Sequence, residues 1–260
     1  MHIKKGFTLA EILVTLMIIG VIASITIPNI MAKSEREANR AGLKKAISVL
    51  NQAAEKSYFE FSKYPNCYYW DKNPYGGATC KGYDKNGNCT GYTLNSTGGA
   101  LPGNYNGNFG QCRELFAFFK ENLNITKICE TNGLANGCMP EYKGNDEVKK
   151  GGYGDDMSDE DKDIAANKAT SGCNGYRGSA LKTKQAIVTA DGMIFFPYTA
   201  NYASIIAVDV NGMKGPNKGG YDVFSLYAVG NTGKNLVYAP GGCEFVEKGG
   251  KTGKQMLYGK

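Results

Sequence analysis

The sequence predicts an α+β fold in which a long N-terminal helix packs on a C-terminal antiparallel sheet, with a long disulfide-stapled loop region between them. Three observations carry that expectation. Residues 7–62 keep a helical pattern interrupted by only two glycines, Gly20 and Gly42. The middle of the chain is dense in Gly, Asn, Tyr and Cys, and the last third alternates β-branched and aromatic runs with tight turns. Of the 35 glycines, all but Gly6, Gly20 and Gly42 follow residue 62, so two differently built segments share one chain. Glycine in the second segment is more than twice the usual ~7%, yet there is no Gly-X-Y period, which excludes collagen. Aromatic and β-branched residues are too frequent there for a disordered tail.

The first element is apolar and long. From Phe7 to Ala32 the only charged residue is Glu11, and Phe7 to Ile27 would span about 31 Å as a helix, the thickness of a bilayer's hydrocarbon core. Lys4 and Lys5 precede it, so the positive-inside rule puts the N-terminus in the cytoplasm and everything after Lys33 outside. The alternative is a cleaved secretory signal peptide. Against it, Ala23-Ser24-Ile25 is no Ala-x-Ala site, a carboxylate sits in the apolar run, and the pattern continues into further helix. That carboxylate costs about 2.5 to 3.5 kcal/mol in a membrane unless a partner meets it. Pro28 lacks an amide donor and is expected to kink or loosen the helix.

The segment Lys5-Gly6-Phe7-Thr8-Leu9-Ala10-Glu11-Ile12-Leu13-Val14, followed by an apolar run with Pro28, resembles the N-terminal cleavage and methylation motif of type IV pilins and type II secretion pseudopilins. The resemblance covers about the first 30 residues densely and the rest loosely. It implies that prepilin peptidase cuts after Gly6 and methylates the amino group of Phe7. It also implies that Glu11 neutralises the Phe7 ammonium of a neighbouring subunit during assembly, and that Pro28 marks where the helix bends or melts in the filament. The implied organisation is a leader at 1–6, a transmembrane and filament-core helix at 7–32, an amphipathic helix at 33–62 and a pilin-like head at 63–260. The implied partners are prepilin peptidase, copies of itself or other pilins, the inner-membrane assembly platform, and the membrane before assembly. The implied location is the bacterial inner membrane, then a periplasmic or cell-surface filament.

The second element is amphipathic. Leu43, Ile47, Leu50, Ala54, Tyr58 and Phe61 fall on one face, and although Ser34 to Glu37 matches a capping box, no turn cluster separates it from the apolar run. One helix of roughly 84 Å is therefore expected.

After Tyr64-Pro65 most of residues 66–184 has loop punctuation, apart from a short helical stripe at Cys112, Leu115, Phe116, Phe119 and Leu123. The acidic run from Asp155 to Asp161 fits a solvated loop. Strands are expected at 185–189 and 193–196 around the Ala190-Asp191-Gly192 turn, then at 204–210, 223–229 and 236–238.

Cys67, Cys80, Cys89, Cys112, Cys129, Cys138, Cys173 and Cys243 all lie on the side expected to be outside. An even count without C-x-x-C spacing fits disulfides, with buried free thiols as the alternative and the connectivity open. In the loop from Asp209 to Asp222, the oxygens of Asp209, Asn211, Asn217 and Asp222 could contribute to a calcium site. No EF-hand spacing is present, and a strand connection whose side chains cap their own backbone explains the same residues. No other cofactor is indicated.

The sole histidine, His2, lies in the expected leader, so the processed chain would lack imidazole for triad or zinc chemistry. No catalytic residue and no enzyme are expected. The formal charge of +6 falls to +4 without Lys4 and Lys5, and the lysines look scattered along the sequence, a weak signal for nucleic acid. The expected function is a structural subunit of a type IV pilus or type II secretion pseudopilus. The alternative is a minor pilin acting as tip adhesin or as a ligand- or DNA-binding subunit.

Overall fold

A computed structural model describes residues 8–61, 78–83, 89–94, 98–99, 119–198, 205–228, 237–239 and 241–259. Helix α1, Leu9–Phe61, runs unbroken for 53 residues with Pro28 inside it. Strands β1 (Ala78–Tyr83) and β2 (Cys89–Leu94) form an antiparallel pair of their own. The main sheet has six strands in sequence order: β3 Ile125–Cys129, β4 Ala186–Thr189, β5 Ile194–Pro197, β6 Ile205–Asp209, β7 Val223–Ala228 and β8 Val237–Tyr238. Every neighbouring pair is antiparallel, so the C-terminal part is a meander of local hairpins.

Successive side chains of a strand point to opposite faces, and both faces of this sheet are buried. On one face Ile187, Phe195, Val208, Phe224 and Leu226 pack with Leu43, Ala46, Leu50, Ala53 and Ala54 of α1. On the other, Ala186, Ile194, Phe196 and Ala207 pack with Tyr142, Tyr176, Leu181 and Phe245. Double burial explains why the central strands are continuously apolar rather than alternating. The helix stripe expected at Leu43, Leu50 and Ala54 is buried, with Ile47 packed beside it; the side chains of Tyr58 and Phe61 lie outside the described residues. Asn51 ties the helix to the sheet edge, accepting from the Val237 amide at 2.9 Å and donating to its carbonyl at 2.8 Å.

Residues 142–182 carry short helices that the loop expectation for residues 66–184 did not include, and two of them set Tyr176 and Leu181 against the second face. The short helices are α2 Asn145–Lys150, α3 Asp159–Ala169, a 3-10 turn at Asn174–Tyr176 and α4 Gly178–Lys182. The acidic run is therefore not simply a loop: Ser158 caps α3 by accepting from the Asp161 amide, and Asp159, Glu160 and Asp161 fill its first turn. Carboxylates there complement the partial positive charge of the helix N-terminus. A final helix, α5 at Gly253–Tyr258, is closed by a Thr252/Gln255 capping box and returns to α1, where Arg40 Nη2 donates to the Leu257 carbonyl at 2.8 Å. Of the stripe from Cys112 to Leu123, only 119–122 is described as helical, and Phe119 and Leu123 are buried.

Cys129 bonds to Cys138 and Cys173 to Cys243, and no cysteine is free among the described residues. Cys67 and Cys112 fall outside those residues, as do the side chains of Cys80 and Cys89.

Candidate functional site

The first half of α1 packs against nothing else in the described chain. Leu9, Met17, Ile25 and Ile30 are each more than 60% exposed. In water such a surface would be strongly unfavourable, because each large aliphatic side chain gains about 1.5 to 3 kcal/mol on burial. By length and composition this half-helix can cross a membrane.

Glu11 sits in its first turn. Its Oε2 accepts from the Thr8 amide and the Thr8 hydroxyl, both at 2.8 Å, while Thr8 Oγ1 accepts from the Glu11 amide at 3.3 Å. This is a reciprocal capping box, with both side chains exposed. Thr8 was not among the residues singled out from the sequence, although Thr8-x-x-Glu11 carries the signal in plain form. A carboxylate at this place thus has partners within its own chain, and its outer side is open to a cation from elsewhere. Gly6 and Phe7 lie outside the described residues. Pro28 is held within continuous helix and offers no amide to the Ser24 carbonyl.

The loop from Asp209 to Asp222 lies where α1 enters the head. Asp209 and Asp222 are both fully buried. Asp209 Oδ2 accepts from the Tyr142 hydroxyl at 2.9 Å, and Oδ1 accepts from the amides of Asn211 and Gly212 at 3.2 and 2.8 Å. Asp222 accepts from the amides of Asn217 and Lys218 at 2.8 and 2.7 Å. Asn211 Nδ2 donates to the Gly215 carbonyl at 3.2 Å. The Asn217 side-chain amide, turned so that its nitrogen faces acceptors, donates through Nδ2 to the carbonyls of Lys214 and Gly212 at 2.9 and 3.0 Å. Burial, then the charge of Asp222, pushes the Asp209 carboxyl up to about 7 despite these donors. Burial also raises Asp222.

The four residues named from the sequence as a calcium set are thus brought together, but all four carboxylate oxygens already accept hydrogen bonds. No cluster of three or more Asp, Glu, His or Cys that could hold a metal occurs among the described residues. The donor set closes the loop from within, and an ion would have to displace backbone amides.

A groove of about 690 Å³ opens between α2, the end of α3 and the segment after Cys243, lined by Asn145, Tyr153, Thr170, Glu244 and Phe245 among others. Burial pushes the Glu244 carboxyl up to about 7, against the Gly253 amide it accepts at 2.7 Å. Asn145 Oδ1 is buried without a hydrogen-bond partner. The groove therefore offers acceptors and an apolar wall.

Comparison with known proteins bears on the N-terminal quarter. Residues 1–27 match the family model for the prokaryotic N-terminal methylation motif. The chain is 37% identical over 65 residues to the type II secretion system core protein G of Klebsiella pneumoniae, covering 25% of this chain and 46% of that protein. The corresponding core protein G of Klebsiella michiganensis is 36% identical over 62 residues, covering 24% and 43%, and that of Pectobacterium carotovorum subsp. carotovorum is 33% identical over 63 residues, covering 24% and 40%. The chain thus spans less than half the length of these curated relatives. No solved structure matches it.

Proposed function

We propose that this chain, similar over its N-terminal quarter to type II secretion system core protein G and carrying the prokaryotic N-terminal methylation motif, belongs with the type IV pilins and pseudopilins and is a structural subunit of a membrane-derived helical filament. The single observation that carries the proposal is the exposed apolar half of α1 with Glu11 in its first turn. Before assembly the lipid covers that surface. In a filament, the same half-helices of other subunits cover it instead, and the head stays outside. Glu11 exchanges its Thr8 partners for the Phe7 ammonium of a neighbour, so that charge neutralisation within an apolar core favours the correct axial register.

In this proposal prepilin peptidase cuts after Gly6 and methylates Phe7 on the cytoplasmic side, and the assembly platform then extracts the subunit. The test is mass spectrometry of the mature N-terminus together with filament yield of Glu11→Val. Methylated Phe7 and a variant that is processed but assembles poorly are expected. An intact Met1, a cut after Ala23, or normal filaments from the variant would overturn it.

A second proposal, a minor subunit that binds a ligand at the tip, is favoured by the groove at Asn145 and Glu244 alone. Scarcity of the chain in purified filaments would support it. Calcium at Asp209, Asn211, Asn217 and Asp222 is a further proposal on the junction loop. It competes with the self-closed loop, and a rise of several degrees in melting temperature with calcium over chelator would establish it.

A further inference from the structure

We propose that the membrane-proximal base of the head is a basic collar that seats on anionic lipid headgroups while the subunit waits in the membrane. The inference rests on residues 9–31 being the membrane anchor and goes beyond it by assigning a partner to a surface of the head.

Three segments build the collar. Residues 32–41 are the turns of α1 that leave the apolar run, 211–221 belong to the junction loop, and 247–259 form the C-terminal return. They are locked together: Asn39 Nδ2 donates to the Tyr221 carbonyl at 3.1 Å, the Tyr221 hydroxyl to the Lys248 carbonyl at 2.8 Å, the Lys251 amide to the Gly220 carbonyl at 2.8 Å, and Arg40 to the Leu257 carbonyl. A small cavity between Arg36, Asn39, Pro216, Tyr221, Lys251 and Met256 marks their meeting place.

These segments carry eight cations, Lys33, Arg36, Arg40, Lys214, Lys218, Lys248, Lys251 and Lys254, against three carboxylates, Glu35, Glu37 and Glu247. The whole chain has a formal charge of +6, and Lys4 and Lys5 precede the membrane helix. The collar's excess of five cations therefore exceeds the net charge of the chain that follows Lys5, and everything else in that chain is slightly acidic. Lysines that look scattered along the sequence converge in the fold.

Two of the three acids are engaged, Glu37 with Arg40 and Glu247 with Lys143. Among the described residues no carboxylate lies within ion-pair distance of Lys33, Arg36, Lys214, Lys218, Lys248, Lys251 or Lys254. Lys33, Arg36, Lys214, Lys218, Lys248 and Lys254 are exposed. Met213 and Tyr258, 59% and 67% exposed, sit on the same segments and suit the boundary between headgroup and water.

The height is also right. Ala32 to Asn39 rises about 10 Å along the helix, which puts the collar at the headgroup layer or within a Debye length of about 8 Å from it. Each basic residue near such a surface strengthens attraction about fivefold. Seating by this attraction would hold the head upright over its helix and would have to be released when the subunit is extracted.

The test uses the full chain reconstituted in nanodiscs of phosphatidylcholine, with or without phosphatidylglycerol, read by peptide-resolved hydrogen exchange. The expected result is that 211–221 and 247–259 exchange about tenfold more slowly in the anionic discs, that high salt abolishes the difference, and that Lys214→Gln, Lys218→Gln, Lys251→Gln and Lys254→Gln together remove it. The same number of changes at Lys56, Lys149, Lys168 and Lys182 should leave it, with sheet protection unchanged in both variants. Equal exchange in the two discs would overturn the proposal. So would slowing that depends on chains per disc and not on lipid charge, which would assign the face to a second copy. Free exchange of residues 9–31 in either disc would instead sink the membrane anchor itself.

Discussion

The buried hydroxyl of Tyr142 donates to Asp209 Oδ2 at 2.9 Å, joining the segment before α2 to the end of β6 at the mouth of the junction loop. This bond and the amides of Asn211 and Gly212 are what keep a carboxylate tolerable at a fully buried position. Removing the hydroxyl leaves the carboxyl oxygen short of one donor. Tyr142→Phe should cost about 1.5 to 3 kcal/mol, visible as a lower denaturant midpoint at an unchanged slope.

The same carboxyl makes stability depend on pH. Its folded value, about 7, lies above the ordinary 3.8, so between these values the folded chain binds more protons than the unfolded one. The contribution is fully present below about pH 4 and is lost as pH rises through about 7. Glu244, also raised to about 7, acts in the same direction. Melting curves should show Asp209→Asn flattening part of the decline between pH 4 and 7, and an unchanged decline would refute the assignment.

Lys184 works in the opposite direction. It is buried over the rings of Tyr176 and Tyr198, at 5.7 and 5.8 Å, and donates to the Tyr198 carbonyl. Burial lowers its ammonium from 10.5 to about 8. The unfolded chain therefore holds the extra proton between these values, and stability gains from this group as pH rises through that window. Lys184→Met should remove that gain, measured as the pH slope of the denaturant midpoint between 8 and 10.

Gly212 has φ +66°, and a Cβ there would lie 1.9 Å from the Gly192 carbonyl oxygen. The junction loop and the β4–β5 turn thus meet backbone to backbone. Gly212→Ala combines left-handed strain with that clash and should cost more than about 2 kcal/mol, whereas Gly215→Ala, with open space and no positive φ, should be close to neutral. Equal melting temperatures for the two variants would contradict the packing.

The two described disulfides close loops of very different length, with sequence separations of 9 for Cys129–Cys138 and 70 for Cys173–Cys243. By unfolded-chain entropy, replacing the short pair with serine should cost about 2.5 kcal/mol and the long pair about 4. The ranking by chemical denaturation is the check.

The sequence by itself determined the features that depend on neighbours along the chain. The apolar run, its length, Glu11 and the amphipathic stripe fix α1, because helix periodicity is local. The Ala190-Asp191-Gly192 turn between two apolar runs fixes the first hairpin of the meander for the same reason. Tertiary structure alone decided what depends on distant partners. Short pieces such as α4 and the 3-10 turn have little periodicity and form where Leu181 and Tyr176 cover an apolar sheet face. Which cysteines pair is set by distances between chain-distant positions. The two aspartates of the junction loop look like ion ligands in one dimension, but in three they bind backbone amides and Tyr142. The basic collar is invisible along the chain, because its cations come from three segments that meet only when α5 returns to α1.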